Sequence, residues 1–237
     1  MGCNKPGDRP LTIAAAANLQ YVLDSLTTEF TAQTGIVAEV IFASSGKLTA
    51  QITAGAPYDL FLSADERYPE ELAKIGLTAG VPRPYARGQL ALWTNRKEIP
   101  LHPDSLLSSS ISHLAVANPA TAPYGKAAMD YLQNRGLDAA LNGKLVLGES
   151  IGQANQFVYS AAADVGITAY STVLKLPTGG STRWVLLQGS DYPPVIQSGV
   201  VLKSNENQEK AARRFLEFLQ RENGQSILSK FGYLRSE

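Results

Sequence analysis

Four polar turns of this chain carry groups that could hold an anion. In each turn a short apolar segment ends and a helix is predicted to begin at small or hydrogen-bonding residues. A helix start presents backbone N–H groups without intrahelical acceptors, together with the positive end of the helix dipole, so each turn is a potential anion seat. Four converging seats would form a cage for a small oxyanion. The turns are 14–18 (AAAAN), 42–46 (FASSG), 118–125 (NPATAPYG) and 148–152 (GESIG).

Each turn also has a purely structural interpretation. Asn18 is predicted to be the N-cap of the first helix, and Ser44 and Ser45 could be a cap and its neighbour. Tyr124 follows a proline at a helix start, where a buried ring needs a partner for its hydroxyl; the alternative is that the ring only packs over a cleft wall. Because capping does not require all four turns to follow strands, the set as a whole favours binding.

Several enzyme signatures are present only in part. Segment 148–152 matches the G-x-S-x-G nucleophile elbow, but both histidines, His102 and His113, precede the serine, whereas that fold needs one after it. Segment 44–47 begins an S-x-x-K motif without its partner motifs, and the Gly-Lys pair at 125–126 lacks the upstream glycine of a P-loop. Two isolated histidines and one cysteine do not make a usual zinc site. We therefore expect no catalysis, no cofactor and no protein-ligated metal.

The composition excludes some partners. Among 237 residues, 21 basic and 21 acidic side chains balance, and no basic stripe interleaved with aromatics indicates nucleic-acid binding. No apolar run is long enough to cross a membrane. The length suffices for one large or two modest domains.

The single cysteine, Cys3, stands before the polar stretch 4–10. It could be a free thiol on a frayed terminus, which would leave no internal disulfide. We favour another interpretation, in which Cys3 is the first mature residue of a bacterial lipoprotein and a flexible tether follows. Met1-Gly2 would then stand in place of a signal peptide, since no apolar segment precedes the cysteine.

Strands and helices alternate along the chain, which predicts mostly parallel sheets flanked by helices. Pro/Gly-rich breaks at 81–88 and 189–194 divide it into two lobes. A final strand (200–203) and one long helix from about 207 to 229 are expected to return to the first lobe, because the apolar face of that helix needs a sheet. The predicted division is an N-terminal tether (1–10), lobe I (11–87 and 192–237) and lobe II (88–191). Ligands in such sheets bind beyond the carboxyl ends of the strands, so the helix starts of both lobes are expected to surround a shared cleft.

With these motifs the chain resembles the molybdate-binding proteins of bacterial ABC importers. The similarity runs over nearly the whole chain from Leu11, and its densest segments are 15–19 (AAANL), 42–48 (FASSGKL), 55–65 (GAPYDLFLSAD) and 231–233 (FGY). The resemblance implies a two-lobed periplasmic-binding fold (type II) that closes on molybdate or tungstate through neutral hydrogen-bond donors. It also implies the permease and ATPase subunits of an importer as partners. We expect a monomer.

The resemblance assigns four ligand positions: Asn18, Ser45, Tyr124 and the backbone N–H of Ile151. Ala17, Ser44 and Tyr170 are further candidates. Tyr170 marks a departure from the family, because many members have a ligating tyrosine where this chain has Ala169. A one-residue step on a strand turns the side chain to the other face, so Tyr124 is expected to supply the hydroxyl from the opposite wall.

The ligand chemistry agrees with this assignment. Molybdate near neutral pH is an unprotonated dianion that only accepts hydrogen bonds, so a site made only of donors suits it and disfavours protonated phosphate. A binder of sulfate or another tetrahedral oxyanion with the same architecture is the first alternative. The second is the effector domain of a transcription regulator, against which Cys3 and the absence of a helix-turn-helix segment argue. An enzyme acting on a phosphorylated or sulfated small molecule is the third, and the incomplete motifs disfavour it.

Overall fold

The structure, a computed structural model, describes residues 9–176 and 181–236; Cys3 and the rest of 1–8 in the predicted tether lie outside the described residues. Two five-stranded sheets, each flanked by helices, form two lobes. The two-lobed α/β fold predicted from the sequence is therefore confirmed. No helix of the described ranges is long and apolar enough to span a bilayer.

Lobe I is built from the first part of the chain and from its C-terminal part. Its first part contains β1 (Leu11–Ala16), α1 (Gln20–Thr34), β2 (Ala38–Ala43), α2 (Ser45–Thr53), β3 (Leu60–Ser63), α3 (Arg67–Lys74) and β4 (Arg83–Gly88). A short 3₁₀ helix, Ala17–Leu19, joins β1 to α1. The remaining elements of lobe I are β10 (Val195–Val201), α8 (Glu206–Gln220) and α9 (Glu222–Lys230).

Lobe II is built from the middle of the chain. It contains β5 (Leu90–Thr94), β6 (Leu114–Ala117), α4 (Pro123–Asn134), α5 (Asp138–Leu141), β7 (Leu145–Gly148), α6 (Ile151–Tyr159), β8 (Val165–Ala169), α7 (Tyr170–Val173) and β9 (Arg183–Leu186). Short 3₁₀ helices occupy Pro103–Leu107, Asn142–Lys144 and Gly189–Asp191. Strand β9 was not predicted.

Both sheets are mixed rather than mostly parallel, which corrects the prediction from strand–helix alternation. Their strand orders are β2-β1-β3-β10-β4 and β7-β6-β8-β5-β9. In lobe I, β1 pairs in parallel with β2 and β3, whereas β10 is antiparallel to β3 and β4. In lobe II, β6 is parallel to β7 and β8, whereas β5 is antiparallel to β8 and β9. The antiparallel strands adjoin the inter-lobe crossings, where no helical crossover imposes a parallel direction.

Two chain crossings, Gln89 and 187–194, connect the lobes and lie side by side. Leu90 donates its backbone N–H to the Tyr192 hydroxyl (3.0 Å), and its carbonyl accepts the N–H of Leu187 (3.0 Å). The Pro/Gly-rich segment before the first crossing is not a loop, because it forms β4 at the edge of sheet I. An edge strand tolerates proline, since its missing N–H need not pair on the outer side.

Helices cover both faces of sheet I. On one face, α1, α8 and α9 bury a cluster in which the rings of Phe30 and Phe215 meet edge to face, with centroids 4.8 Å apart. On the other face, Leu48, Phe61 and Leu72 bring α2 and α3 together with β3. The predicted single C-terminal helix is wrong. The chain is extended at Arg221 (ψ 164°), which separates α8 from α9.

Candidate oxyanion-binding site

One cleft between the lobes brings the four polar turns together. These turns follow β1 and β2 in lobe I and β6 and β7 in lobe II, at the carboxyl ends of the strands. The cleft is partly open to solvent, and the space between its atoms, the open part included, is about 210 Å³. It is lined by Ala16, Ala17, Asn18, Ser44, Ser45, Ala64, Ala122, Pro123, Tyr124 and Ile151.

Ser45 is the first residue of α2 and is fully buried. Its Oγ accepts a hydrogen bond from the backbone N–H of Ala64 (3.1 Å). A hydroxyl that accepts one bond still has its proton to donate. The backbone N–H of Ser45 also has no acceptor within its own helix, because it lies in the first turn. Ser45 can thus offer two donors to a bound acceptor.

Ser44 precedes α2 in the N-cap position, yet its side chain makes no capping bond. Its Oγ is buried and has no hydrogen-bond partner among the described residues. Leaving a buried hydroxyl unpaired costs about 1–3 kcal/mol, so such a group signals that a partner belongs there. The structure therefore places both serines of this turn at the cleft.

Tyr124 is the second residue of α4, which begins at Pro123, a position where the missing proline N–H is not needed. The side chain is 3% exposed, and its hydroxyl has no partner among the described residues. Burial, with smaller contributions from the neighbouring phenols of Tyr233, Tyr85 and Tyr192, raises the pKa of Tyr124 well above its usual value. The phenol is consequently a neutral donor at physiological pH.

Asn18 lies in the cleft but uses its side chain elsewhere. Its amide Nδ2 donates to Gln197 Oε1 (2.8 Å) and to the Tyr233 hydroxyl (2.9 Å), which occupies both amide protons. The predicted N-cap role is also wrong, since the N-cap position belongs to Ala16 in the 3₁₀ helix and to Leu19 in α1, and neither helix start has a side-chain cap. The group that Asn18 can offer to the cleft is its backbone N–H.

Ile151 and Ala17 can likewise contribute only backbone donors. Ile151 is the first residue of α6, and the preceding Ser150 caps that helix by accepting the N–H of Gln153 (3.4 Å). The N–H of a first-turn residue has no intrahelical acceptor, so it is available to an anion. Ala17 opens the 3₁₀ helix after β1 and has no polar side-chain atom.

Tyr170 is the one candidate that the structure does not bring to the cleft. It begins α7, and its ring packs edge to face on Trp184, with centroids 5.2 Å apart. The ring also fills the space beside Gly232. This position agrees with the register argument, in which Ala169 and not Tyr170 faces the site.

Among the residues that the structure describes, no charged side chain lines the cleft. Asp59 lies away from it and is paired with Arg9, while Asp65 accepts hydrogen bonds from the Ser63 hydroxyl (3.0 Å) and the Tyr68 N–H (3.3 Å) in a turn. A negative guest would therefore meet helix N-termini and neutral donors, without a carboxylate to repel it.

The comparisons with known proteins agree with this geometry. Residues 11–234 match the family model described as bacterial extracellular solute-binding protein. The chain belongs to this family.

Individual relatives are similar over nearly their whole length. The molybdate-binding protein ModA of Rhodobacter capsulatus is 36% identical over 99% of this chain and 92% of its own. Among solved structures, the periplasmic molybdate-binding protein of Azotobacter vinelandii is 31% identical, with a TM-score of 0.89 over 96% of this chain and 100% of its own. The substrate-binding domain of a putative molybdenum ABC transporter from Clostridium difficile is 28% identical, with a TM-score of 0.72 over 96% and 99%. The resemblance to molybdate-binding proteins is thereby confirmed.

In this solute-binding protein the two lobes touch across the cleft. The backbone N–H of Gly46 in lobe I donates to the carbonyl of Thr121 in lobe II (2.9 Å), and the Tyr68 hydroxyl donates to the carbonyl of Ala120 (3.2 Å). At the rim, Lys47 and Glu149 form an exposed ion pair between the lobes. At the start of α2, the N–H of Gly46 is therefore used by the opposite lobe, whereas the N–H of Ser45 has no acceptor within the helix.

Sequence reasoning missed the residues that hold the first turn in place. Gln197 and Tyr233 are both buried and bind Asn18, and Gln197 Nε2 also donates to the carbonyl of Ala64 (3.2 Å). The Tyr233 hydroxyl donates to the Asn18 carbonyl (2.9 Å), and burial raises the pKa of Tyr233 to about 12. The FGY segment at 231–233 was a visible signal of this role, but no local pattern pointed to Gln197.

Proposed function

We propose that this protein captures molybdate or tungstate and delivers it to an ABC importer. The observation that carries the proposal is a pair of buried hydroxyls, Ser44 Oγ and Tyr124 Oη, which have no hydrogen-bond partner among the described residues and belong to residues that line one cleft from opposite lobes. Together with the free proton of Ser45 and the helix-start amides, they make a cleft rich in donors. The molybdate-binding relatives support the same ligand.

The donor set explains why a fully ionised tetrahedral anion fits. Molybdate, tungstate and sulfate have only acceptor oxygens at neutral pH, so each oxygen can be matched by an O–H or N–H. Protonated phosphate carries a hydroxyl that needs an acceptor, and the lining residues of the described chain include no carboxylate to provide one. Burial makes these contacts strong, because an unpaired donor in the cleft costs more than one in water.

The proposal extends to location and partners. We place the protein outside the cytoplasm, anchored to the membrane through a lipid on Cys3, and acting as a monomer that docks on the permease of an importer with its ATPase subunits. Support for this setting comes from the extracellular solute-binding family and from the transporter relative. Mass spectrometry of the protein expressed behind a lipoprotein signal peptide tests the anchor, since a diacylglyceryl group on Cys3 is expected.

We further propose that the protein is not an enzyme and needs no cofactor. Among the described residues that line the cleft, Ser44 and Ser45 have no histidine, carboxylate or lysine beside them in the lining to act as a base, and Tyr124 is a neutral phenol. Molybdenum or tungsten would enter only as the oxyanion. Incubation with phosphate and sulfate monoesters should leave them intact.

Titration calorimetry with molybdate, tungstate, sulfate and phosphate tests the ligand assignment. We expect sub-micromolar binding of molybdate and tungstate and no measurable binding of phosphate. Sub-micromolar binding of sulfate with no binding of molybdate would instead identify the protein as a sulfate binder.

Two substitutions test the site itself. Tyr124→Phe and Ser45→Ala each remove a buried donor and should each weaken molybdate binding by about 1–3 kcal/mol. Tyr21→Phe and Ser226→Ala, exposed in α1 and α9, are the matched controls and should bind like the unsubstituted protein. Unchanged affinity in a cleft variant would remove that residue from the site.

A further inference from the structure

Gly88 lies directly against the hydroxyl of Tyr124. It is the last residue of β4, one residue before the first crossing, and it is buried. A Cβ atom at this position would overlap the Tyr124 hydroxyl oxygen and would lie 2.8 Å from Cζ of the same ring. Both contacts are closer than non-bonded atoms can approach, so no side chain can occupy position 88 while Tyr124 keeps its place.

The backbone does not explain this glycine. Its φ angle is outside the left-handed region, so alanine could adopt the same conformation. Gly88 also pairs with Val195 in the sheet, where the second crossing ends. The glycine is therefore required for space, at a point where lobe II reaches lobe I beside both crossings.

The tyrosine cannot easily move away from an added methyl group. Its ring belongs to the buried core of lobe II together with Ala128, Ile151 and Ile167, and the side chain is 3% exposed. The amide nitrogen of Gln197 lies 3.1 Å from the same Cβ position. Gln197 also binds the Asn18 side chain, which belongs to the first polar turn of lobe I. Gly88 therefore lies beside both the lobe II donor Tyr124 and a residue that holds a lobe I turn in place.

We propose that Gly88 is a positioning residue for the anion site: the missing side chain beside the first crossing lets the Tyr124 hydroxyl of lobe II lie against lobe I and face the cleft. This inference rests on the proposed oxyanion function. It predicts that Gly88→Ala acts through Tyr124, by displacing its hydroxyl from the donor position.

A double-mutant cycle measured by calorimetry with molybdate tests this. Gly88→Ala should weaken binding by about 10- to 100-fold, the loss expected for one buried hydrogen bond. Tyr124→Ala should weaken it at least as much, and Gly88→Ala should then add less than about twofold in the Tyr124→Ala background. Gly189→Ala, an exposed glycine of the second crossing with open space around it, is the control and should bind normally.

Two outcomes would overturn the inference: normal affinity of Gly88→Ala, or losses that multiply in the double variant. If Gly88→Ala does not fold, the double variant should fold as stably as Tyr124→Ala, because the clash is gone. Failure of the double variant to fold would also refute the idea.

Thermal melting without ligand separates this inference from the proposed function. Gly88→Ala should lower the Tm when Tyr124 is present and leave it unchanged in the Tyr124→Ala background. If the unsubstituted protein binds none of the four oxyanions, the proposed function fails, and the melting cycle still decides whether Gly88 positions Tyr124.

Discussion

The two lobes are built alike, but they contribute different chemistry to the cleft. In each lobe a central strand pairs in parallel with two neighbours, and an antiparallel strand beside the crossing leads to the edge. The site turns follow equivalent strands, β1 and β2 in lobe I and β6 and β7 in lobe II. Both lobes have helix-start amides at the cleft, but the side-chain hydroxyls there are two serines in lobe I and one phenol in lobe II. The backbones of the two lobes thus place helix starts at equivalent positions, and the lobes differ in the side chains found there.

The opposite ends of the strands also correspond. Asp59 stands just before β3 and accepts the N–H of Thr12 (2.9 Å), while Asp164 stands just before β8 and accepts the N–H groups of Ser112 (2.8 Å) and His113 (2.9 Å). Each carboxylate also binds an arginine, Arg9 or Arg96 respectively. The charged groups therefore support the strand starts, away from the neutral cleft at the strand ends.

The largest effect is expected where the two lobes touch. A Cβ on Gly46 would lie 2.6 Å from the Tyr68 hydroxyl and 3.0 Å from Cα of Thr121, so Gly46→Ala should keep the lobes apart. We expect molybdate affinity to fall about 100-fold, or about 3 kcal/mol, because the closed arrangement becomes less populated. Calorimetry measures the loss of affinity, and X-ray scattering with ligand should show a larger radius of gyration than that of the unsubstituted protein.

Gly143→Ala, in open space on lobe II, is the control and should have neither effect. Normal molybdate binding by Gly46→Ala would show that the contact at Gly46 does not limit closure of the lobes.

The paired acids test whether the lobes are equivalent in stability. Asp59→Ala and Asp164→Ala each remove a buried carboxylate that accepts backbone N–H groups, and each should lower the free energy of unfolding by about 2 kcal/mol. Both tryptophans, Trp93 and Trp184, lie in lobe II. Tryptophan fluorescence in urea should therefore follow lobe II, and circular dichroism both lobes. Coincident transitions in both variants would mean that the lobes unfold as one unit.

The pH dependence of stability should also differ when Asp164 is neutralised. Burial alone would raise the pKa of Asp164, but the N–H groups of His113 and Ser112 and the Arg96 guanidinium hold it below the usual value. A lowered pKa gives stability that is present above the unfolded-state pKa, near 4, and is lost as the pH falls through the folded-state value. Asp164→Asn should lower the free energy of unfolding less than Asp164→Ala, because the amide oxygen can still accept an N–H. Measured by urea unfolding, the difference in free energy between Asp164→Asn and the unsubstituted protein should become smaller from pH 7 to pH 3. A free-energy difference that does not change with pH would contradict the lowered pKa of Asp164.

The smallest effect is expected at the rim. Lys47 and Glu149 are each about half exposed, so Lys47→Met or Glu149→Gln should change molybdate affinity by less than about 1 kcal/mol. The difference from the unsubstituted protein should disappear in 0.5 M salt, which calorimetry at two salt concentrations would show. A larger, salt-independent loss would mean that the pair also orders the α2 or α6 start.

The sequence predicted the alternation of elements and the convergence of the turns because both depend on local pattern. Apolar spacing located α1 and most strands, and Ser45, Tyr124 and Ile151 line one cleft as expected. The misses depend on distant contacts. The Asn18 amide is taken by partners 179 and 215 residues away, which no local pattern contains. The space that Tyr124 needs beside Gly88 is likewise visible only once the two lobes are assembled.

The bonds that Leu90 makes to Leu187 and Tyr192 have a mechanical consequence. They join the outgoing and returning connections to each other, so we expect the two connections to bend together when the lobes move. The lobes should then open and close along one path, so that the helix starts of lobe I and lobe II return to the same relative positions each time the cleft closes.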